Sequence, residues 1–326
     1  MFGVTRTGPI HDPLFHAIEL PLTATFFPMG FPLEVATNSA EVMRAATESF
    51  GPFPKMFSTE MLQFRVAVAD YDGGGHPESP VFRAQRHLYA LIAGPENFAI
   101  ADHTRAFGFC WLTADVARDR NWVSYHFLEG IVYHMTAQLY VTPVHAGCVA
   151  LHGRGVLLCG NSGEGKSTLT YACARRGWTY LSDNESCLVR GGDSRRVLGK
   201  PHLVRFREPA VDLFPELKGC IAERQGNGKL AIVLHTAAMP DIRTAFECCA
   251  SYVVFLRRHD TDSVRLVNVS AEDAYARLMD SMPLYEPEVV EAHLHSRREL
   301  SKLPAFELHY RDLQSAIDQL ESLVAS

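Results

Sequence analysis

The chain has 326 residues, 47% of them hydrophobic and 21% charged, enough for a sizeable core; this excludes a disordered chain, a collagen-like fibre and a disulfide-stapled miniprotein. Its 31 basic residues are outnumbered by 37 acidic ones, for a formal charge of −6, so nucleic acid is not an expected partner. The eight cysteines are scattered without a Cys-x-x-Cys pair, the pattern of reduced, buried thiols in a cytoplasmic protein. Residues 1–15 lack the basic start and apolar stretch of a signal peptide, and no apolar run approaches the ~18 residues of a membrane span.

In chain order, the first half reads as a β-rich module. Leu33–Thr37 is a short apolar run. Asn38 with Glu41 forms a capping-box pattern, which predicts a helix striped by Val42, Ala45 and Ala46 and stopped before Gly51-Pro52. Leu62–Ala69 alternates in the manner of a strand, and 70–80 is the most turn-rich stretch. Strands at Leu88–Ala93, Phe98–Asp102 and Ala106–Leu112 would complete an antiparallel sheet, and an amphipathic helix over about 119–139 would end the module. From Val144 strands and helices alternate, which predicts α/β layering. The strands are His145–Leu151, Gly155–Cys159, Trp178–Leu181, Val204–Arg207, Leu230–His235 and Tyr252–Leu256; the helices are Lys166–Arg176, Ala271–Met282 and Asp312–Val324.

The chemistry resides in Gly160-Asn161-Ser162-Gly163-Glu164-Gly165-Lys166-Ser167, which fits G-x-x-x-x-G-K-[ST] between an apolar strand and a helix, with Thr168 next in line. Glycines let backbone amides turn inward around phosphates, and the helix start adds partial positive charge beneath them. Lys166 supplies a point charge for the β- and γ-phosphates, and the Ser167 hydroxyl suits Mg²⁺. Asp183 ends the next strand and is the candidate to hold the metal or activate an acceptor; a turn-forming Asp in Ser-Asp-Asn is the plainer alternative. The strand Val253–Leu256 ends in Arg257-Arg258 rather than an acid. Asn-Lys-x-Asp, Leu-Ser-Gly-Gly and His-Glu-x-x-His are absent, and His293 and His295, two apart, are expected on the surface.

His145-Ala146-Gly147, the run Gly153 to Ser167 and Arg176-Gly177-Trp178-Thr179-Tyr180-Leu181-Ser182-Asp183-Asn184 together resemble HPr kinase/phosphorylase, and still more the shorter HPr-kinase-related proteins. The likeness is good over roughly 144–190 and looser beyond, through Lys200-Pro201 and Val204-Arg205-Phe206-Arg207. The smaller β-rich α+β module over 1–140 does not look like the family's N-terminal domain and would serve recognition or assembly; the likeness implies an α/β P-loop kinase domain of the HPr-kinase/PEP-carboxykinase-like kind over 141–326. It also implies transfer of phosphate from ATP, with Mg²⁺, to a serine hydroxyl of a peptide or protein, and a possible homo-oligomer. By position, Lys166, Asp183 and His145 would be catalytic, residues 160–168 would hold the nucleotide, and Ser167, Asp183 and Glu208 would face the metal. Asn184 stands where the family usually has a second aspartate, and an amide cannot accept a proton as a carboxylate does. Asp183 or Glu185 would then take the base role, or activity would be weak or absent. Lys229 reads as a hairpin lysine with phosphate contact as the alternative; Arg205 and Arg207 share a strand face and could clamp an anionic substrate, or equally be solvated edge charges. The rivals are an ATP-binding regulator or scaffold, a small-molecule kinase and a plain ATPase.

Overall fold

A computed structural model describes residues 18–77, 79–226, 228–258, 264–279 and 287–326. It is a mixed α/β structure with three sheets, and the chain divides into two units, one up to Met135 and one from Thr136. The readings made at residues 1–15, Asn227 and 280–282 lie outside the described residues.

The first unit is built on strands β1 (Leu22–Phe26), β2 (Leu33–Thr37), β3 (Leu62–Val68), β4 (Val81–Gln85), β5 (Leu88–Ile92), β6 (Phe98–Asp102) and β7 (Phe107–Leu112), in the order β1-β2-β3-β7-β6-β5-β4. The sheet is not antiparallel as expected. β2 and β3 run parallel, as do β3 and β7. The parallel step from β2 to β3 follows from helix α1 (Ala40–Phe50) and the segment after it, which return the chain to the sheet's starting edge. The cap of α1 also differs from the capping-box reading. Ser39 accepts from the Val42 amide, while the Asn38 side chain donates to Val68 O at 2.9 Å and accepts from Val68 N at 2.8 Å, extending the pairing of two strand ends. Two short helices, α2 (Ala114–Arg118) and α3 (Arg120–Val123), lead through a π-helical stretch at Ser124–Glu129 into α4 (Gly130–Leu139).

The second unit adds β8 (Val141–Val144), β9 (Ala146–Leu151), β10 (Arg154–Cys159), helix α5 (Lys166–Arg175), β11 (Thr179–Ser182), β12 (Ser186–Val189) and β13 (Arg196–Leu198). Next come β14 (Leu203–Phe206), β15 (Glu223–Arg224), β16 (Leu230–His235), the long β17 (Glu247–Arg258), β18 (Arg265–Val269), α6 (Ala271–Met279), α7 (Pro287–Ser301), β19 (Ala305–Tyr310) and α8 (Leu313–Ala325). The main sheet runs β11-β9-β10-β17-β13-β12-β8, and β19 pairs with both β17 and β18; β14, β16 and β15 form a small antiparallel sheet.

Directions within the main sheet position everything that follows. β10, β17 and β19 are parallel. β9 is antiparallel to β10, and β11 to β9, so β11 again runs the way of β10. The C-terminal ends of β10, β11, β17 and β19 therefore share one edge, where β9 begins, and in open α/β sheets that edge is where ligands bind. β10 reads as uniformly apolar because both its faces are covered. Val156 and Leu158 pack with Leu169 and Cys173 of α5 and Ile317 and Leu320 of α8, whereas Leu157 and Cys159 pack on the other face with Ala274 and Leu278 of α6 and Leu300 of α7.

His293 corrects the surface expectation: it is fully buried, with Nδ1 3.0 Å from the Thr142 hydroxyl, while His295 is exposed. Two-residue spacing on a helix put them on different faces; packing of α7 chose which turned inward. No helix among the described residues is long and apolar enough to cross a membrane.

Candidate functional site

β10 delivers Cys159 to the ligand-binding edge, and the chain turns through Gly160 and on to Gly163 and Gly165 at φ of 101° and 91°, the left-handed region that favours glycine. Helix α5 then begins at Lys166, so its first amides are unpaired within the helix and available to an anion. The Lys166 ammonium is buried and folds back over the loop, donating to Gly160 O at 2.8 Å and Asn161 O at 3.3 Å. Burial, more than any neighbouring charge, lowers its pKa.

The loop is braced from outside its own strand and helix. Tyr310, at the end of β19, donates its hydroxyl to Glu164 O at 2.7 Å, and the Glu164 carboxylate accepts the Arg258 amide at 3.0 Å. A Cβ on Gly165 would lie 2.5 Å from the Tyr310 hydroxyl, so glycine is required there both for its backbone angle and for room. Arg207 donates to the Ser162 hydroxyl at 2.6 Å.

Asp183 follows β11 and comes to the same edge as the loop, one strand removed because β9 lies between β11 and β10. Gly147 of β9 makes the approach possible: a Cβ there would meet Thr170 Cγ2 at 2.5 Å and Asp183 O at 3.0 Å. Ser182 and Ser186 brace the turn, their hydroxyls 2.7 Å apart, with Ser186 donating on to Ala146 O at 3.0 Å. The Asp183 side chain is buried and accepts the Arg205 amide at 3.0 Å. Burial raises its pKa above the ordinary carboxylate value, against the opposing pull of Arg205 and Ser167. A carboxylate held this way can take up a proton from a neighbouring hydroxyl more readily than an exposed one.

His145 lies between β8 and β9 and reaches solvent at the wall of an open cleft of about 360 Å³, together with Gly160, Asn161, Glu164, Phe255 and Leu278. The surrounding protein and then the Lys166 charge lower its pKa, so the ring is neutral at pH 7. Cys159 lines the same cleft as an unreactive thiol, its pKa pushed up to about 12 by burial.

Other expected residues lie differently. Glu185 is exposed and pairs with Lys200 at 3.3 Å. Asn184 is exposed. Glu208 is an exposed residue opening the short turn Glu208–Asp212, and among the described residues no hydrogen bond or ion pair joins it to the loop, to Ser167 or to Asp183. Its neighbour Arg207, in extended backbone just before that turn, makes the loop contact instead. Lys229 sits at the β15–β16 hairpin, close enough for its charge to act on His145. The sequence reading missed Tyr310 and the backbone of Arg258, which carry no local signal. The role of Gly147 had one: a glycine inside an apolar strand.

Ser167 at the start of α5 and Asp183 after β11 bring two hard oxygens to the same sheet edge, and such donors suit Mg²⁺, which keeps several waters and takes the rest of its ligands from phosphate. Among the described residues no group of three or more His, Cys, Asp or Glu side chains forms an all-protein metal site.

A family profile described as "SynChlorMet cassette protein ScmC" matches residues 109–198. No curated protein shows significant similarity to the chain. Among solved structures, the Hpr(Ser) kinase/phosphatase from Coxiella burnetii is similar at a TM-score of 0.28 and 13% sequence identity, over 56% of this chain and 94% of that one. A likeness at that level carries no argument about fold or chemistry, and the functional reading rests on the site itself.

Proposed function

We propose that this chain is a phosphotransferase with an HPr-kinase-like P-loop domain, which moves the γ-phosphoryl group of ATP to a hydroxyl, with a serine of a peptide or protein as acceptor. The observation that carries the reading is the Asp183 carboxylate: buried, held by the Arg205 amide, with raised proton affinity, on the sheet edge that holds the Gly160–Ser167 loop.

In this reading the loop amides, Lys166 and the start of α5 cradle the phosphates through Thr168, and the Ser167 hydroxyl and Asp183 hold Mg²⁺. Bound there, the ion would neutralise charge on the β- and γ-phosphates. The acceptor oxygen forms a bond to the γ-phosphorus as the bond to the ADP oxygen breaks; the acceptor proton passes to Asp183 and then to solvent. Glu185 is engaged by Lys200, which leaves Asp183 as the base. The neutral His145 ring beside the loop is placed to orient the acceptor. Positioning and charge supply most of the catalysis in phosphoryl transfer, so Asn184 in place of a carboxylate is compatible with turnover.

The exposed amide of Asn184 favours one rival, a protein that binds ATP and transfers nothing. Labelled [γ-³²P]ATP decides between them. The native chain is expected to transfer label to serine peptides, and Asp183→Asn to lose this while still binding ATP; release of label to water alone marks the plain ATPase. Equal turnover by both proteins, or no Mg·ATP binding at millimolar concentration, sinks the kinase reading.

A further inference from the structure

Arg207 is a cation beside the loop that the mechanism above leaves unused. It lies just beyond β14, whose Val204 and Phe206 side chains are buried. The strand is anchored at two further points: the Arg205 amide on Asp183 and the Tyr180 hydroxyl on Leu203 O at 3.0 Å. Its guanidinium leaves that anchored strand and reaches across to the phosphate loop, donating to the neutral Ser162 hydroxyl at 2.6 Å.

Several arginines of this unit are already neutralised: Arg176 by Asp318 and Glu321, Arg195 by Asp193, Arg196 by Glu247. Among the described residues no carboxylate pairs with Arg207. A guanidinium has five N–H donors, and one bond to a hydroxyl leaves most of them for an anion. Its position says which anion. Ser162 adjoins Asn161, whose carbonyl the Lys166 ammonium takes, and the Arg207 charge is close enough to act on Lys166. The lysine of such a loop addresses the β- and γ-phosphates, whereas the amides at the helix start address the inner ones. A second cation in the lysine's corner therefore faces the outer end of the chain of phosphates, on the side where Asp183 is held.

We infer that Arg207 grips the terminal phosphate of the bound nucleotide and makes the site prefer a nucleoside triphosphate to a diphosphate. The inference rests on the ATP reading above but needs no acceptor to be tested.

The full-length protein is titrated calorimetrically with Mg·AMP-PNP and with Mg·ADP. The native chain is expected to bind the triphosphate analogue more tightly. Arg207→Gln is expected to weaken Mg·AMP-PNP about tenfold or more while Mg·ADP stays within twofold, and Arg207→Lys to keep part of the preference. An unchanged melting temperature shows that each variant is folded. If Arg207→Gln weakens both nucleotides equally, the residue merely pins the loop through Ser162 and the inference is wrong; if it weakens neither, it is wrong as well. A native chain that binds neither nucleotide removes the ATP reading itself, and this inference with it.

Discussion

Two aspartates, one in each unit, accept hydrogen bonds from backbone amides of distant segments, and their acidities move in opposite directions. Asp115 sits in the first turn of α2, accepts the amides of Gly73 at 3.1 Å and Gly75 at 2.6 Å, and ties down the turn-rich stretch of the first unit. The Thr113 hydroxyl first, then those amides, hold its carboxyl well below the usual carboxylate range. Asp183 also accepts a backbone amide, yet its pKa is raised, because the desolvation of a buried anion outweighs that bond. Hydrogen bonds alone make a carboxylate a pin; the same bonds in a dry setting make it a base.

The largest effect separates the two by pH. Asp183→Asn keeps a hydrogen-bond acceptor for the Arg205 amide but loses the proton acceptor, and is expected to cut turnover by about 10²–10⁴. In the native chain the acid limb of the rate profile should lie above pH ~4, where an ordinary aspartate titrates. For stability the sign follows from the raised folded pKa. The folded state is favoured while Asp183 is protonated, and that advantage is lost as pH rises through the folded value. At pH 8 Asp183→Asn should therefore melt no lower than the native chain; a substantially lower melting temperature would mean that the charge stabilises the site.

A smaller effect concerns the brace on the loop. Gly165→Ala forces a methyl against the Tyr310 hydroxyl at a φ of 91° and should cost about 1–3 kcal/mol of local strain, read as weaker Mg·ATP binding. Adding Tyr310→Phe should restore part of the loss, since the hydroxyl is gone and the backbone strain remains. Native affinity in Gly165→Ala alone would show that Tyr310 does not shape the loop.

The smallest is in the first unit. Asp115→Ala should lower the melting temperature by about 2–4 °C at neutral pH. Its lowered folded pKa places the stabilisation above the unfolded value, so the difference from the native chain should shrink as pH falls below ~4. Mg·ATP binding should be unchanged; a change would tie Asp115 to the nucleotide site and undo the contrast.

The parts that could be read without coordinates are those decided within a few residues. The Gly160–Gly165 turn, the strand before it and the helix after it follow from glycine's backbone freedom and from unbroken apolar runs, and α1 ends before Gly51 as expected. Strand direction was not legible in this way. Alternation marks a strand but is the same for parallel and antiparallel neighbours, hence the mixed first sheet. Asn38 and Ser39 both suit a helix cap, and only the nearby end of β3 drew Asn38 away. Arg207, Arg258 and Tyr310 reach the loop from 45, 94 and 146 residues away, and no window of sequence contains both partners.

Backbone preference is a property of each residue and its immediate neighbours, so the sequence by itself determined that residues 160–165 turn at glycines ahead of a helix. The acidity of Asp183 is a property of its surroundings. The tertiary structure alone decided it, by gathering β9, β11, β14 and the start of α5 around one carboxylate and excluding water there. Solvation energy depends on whatever atoms lie within a few ångströms, however distant they are along the chain.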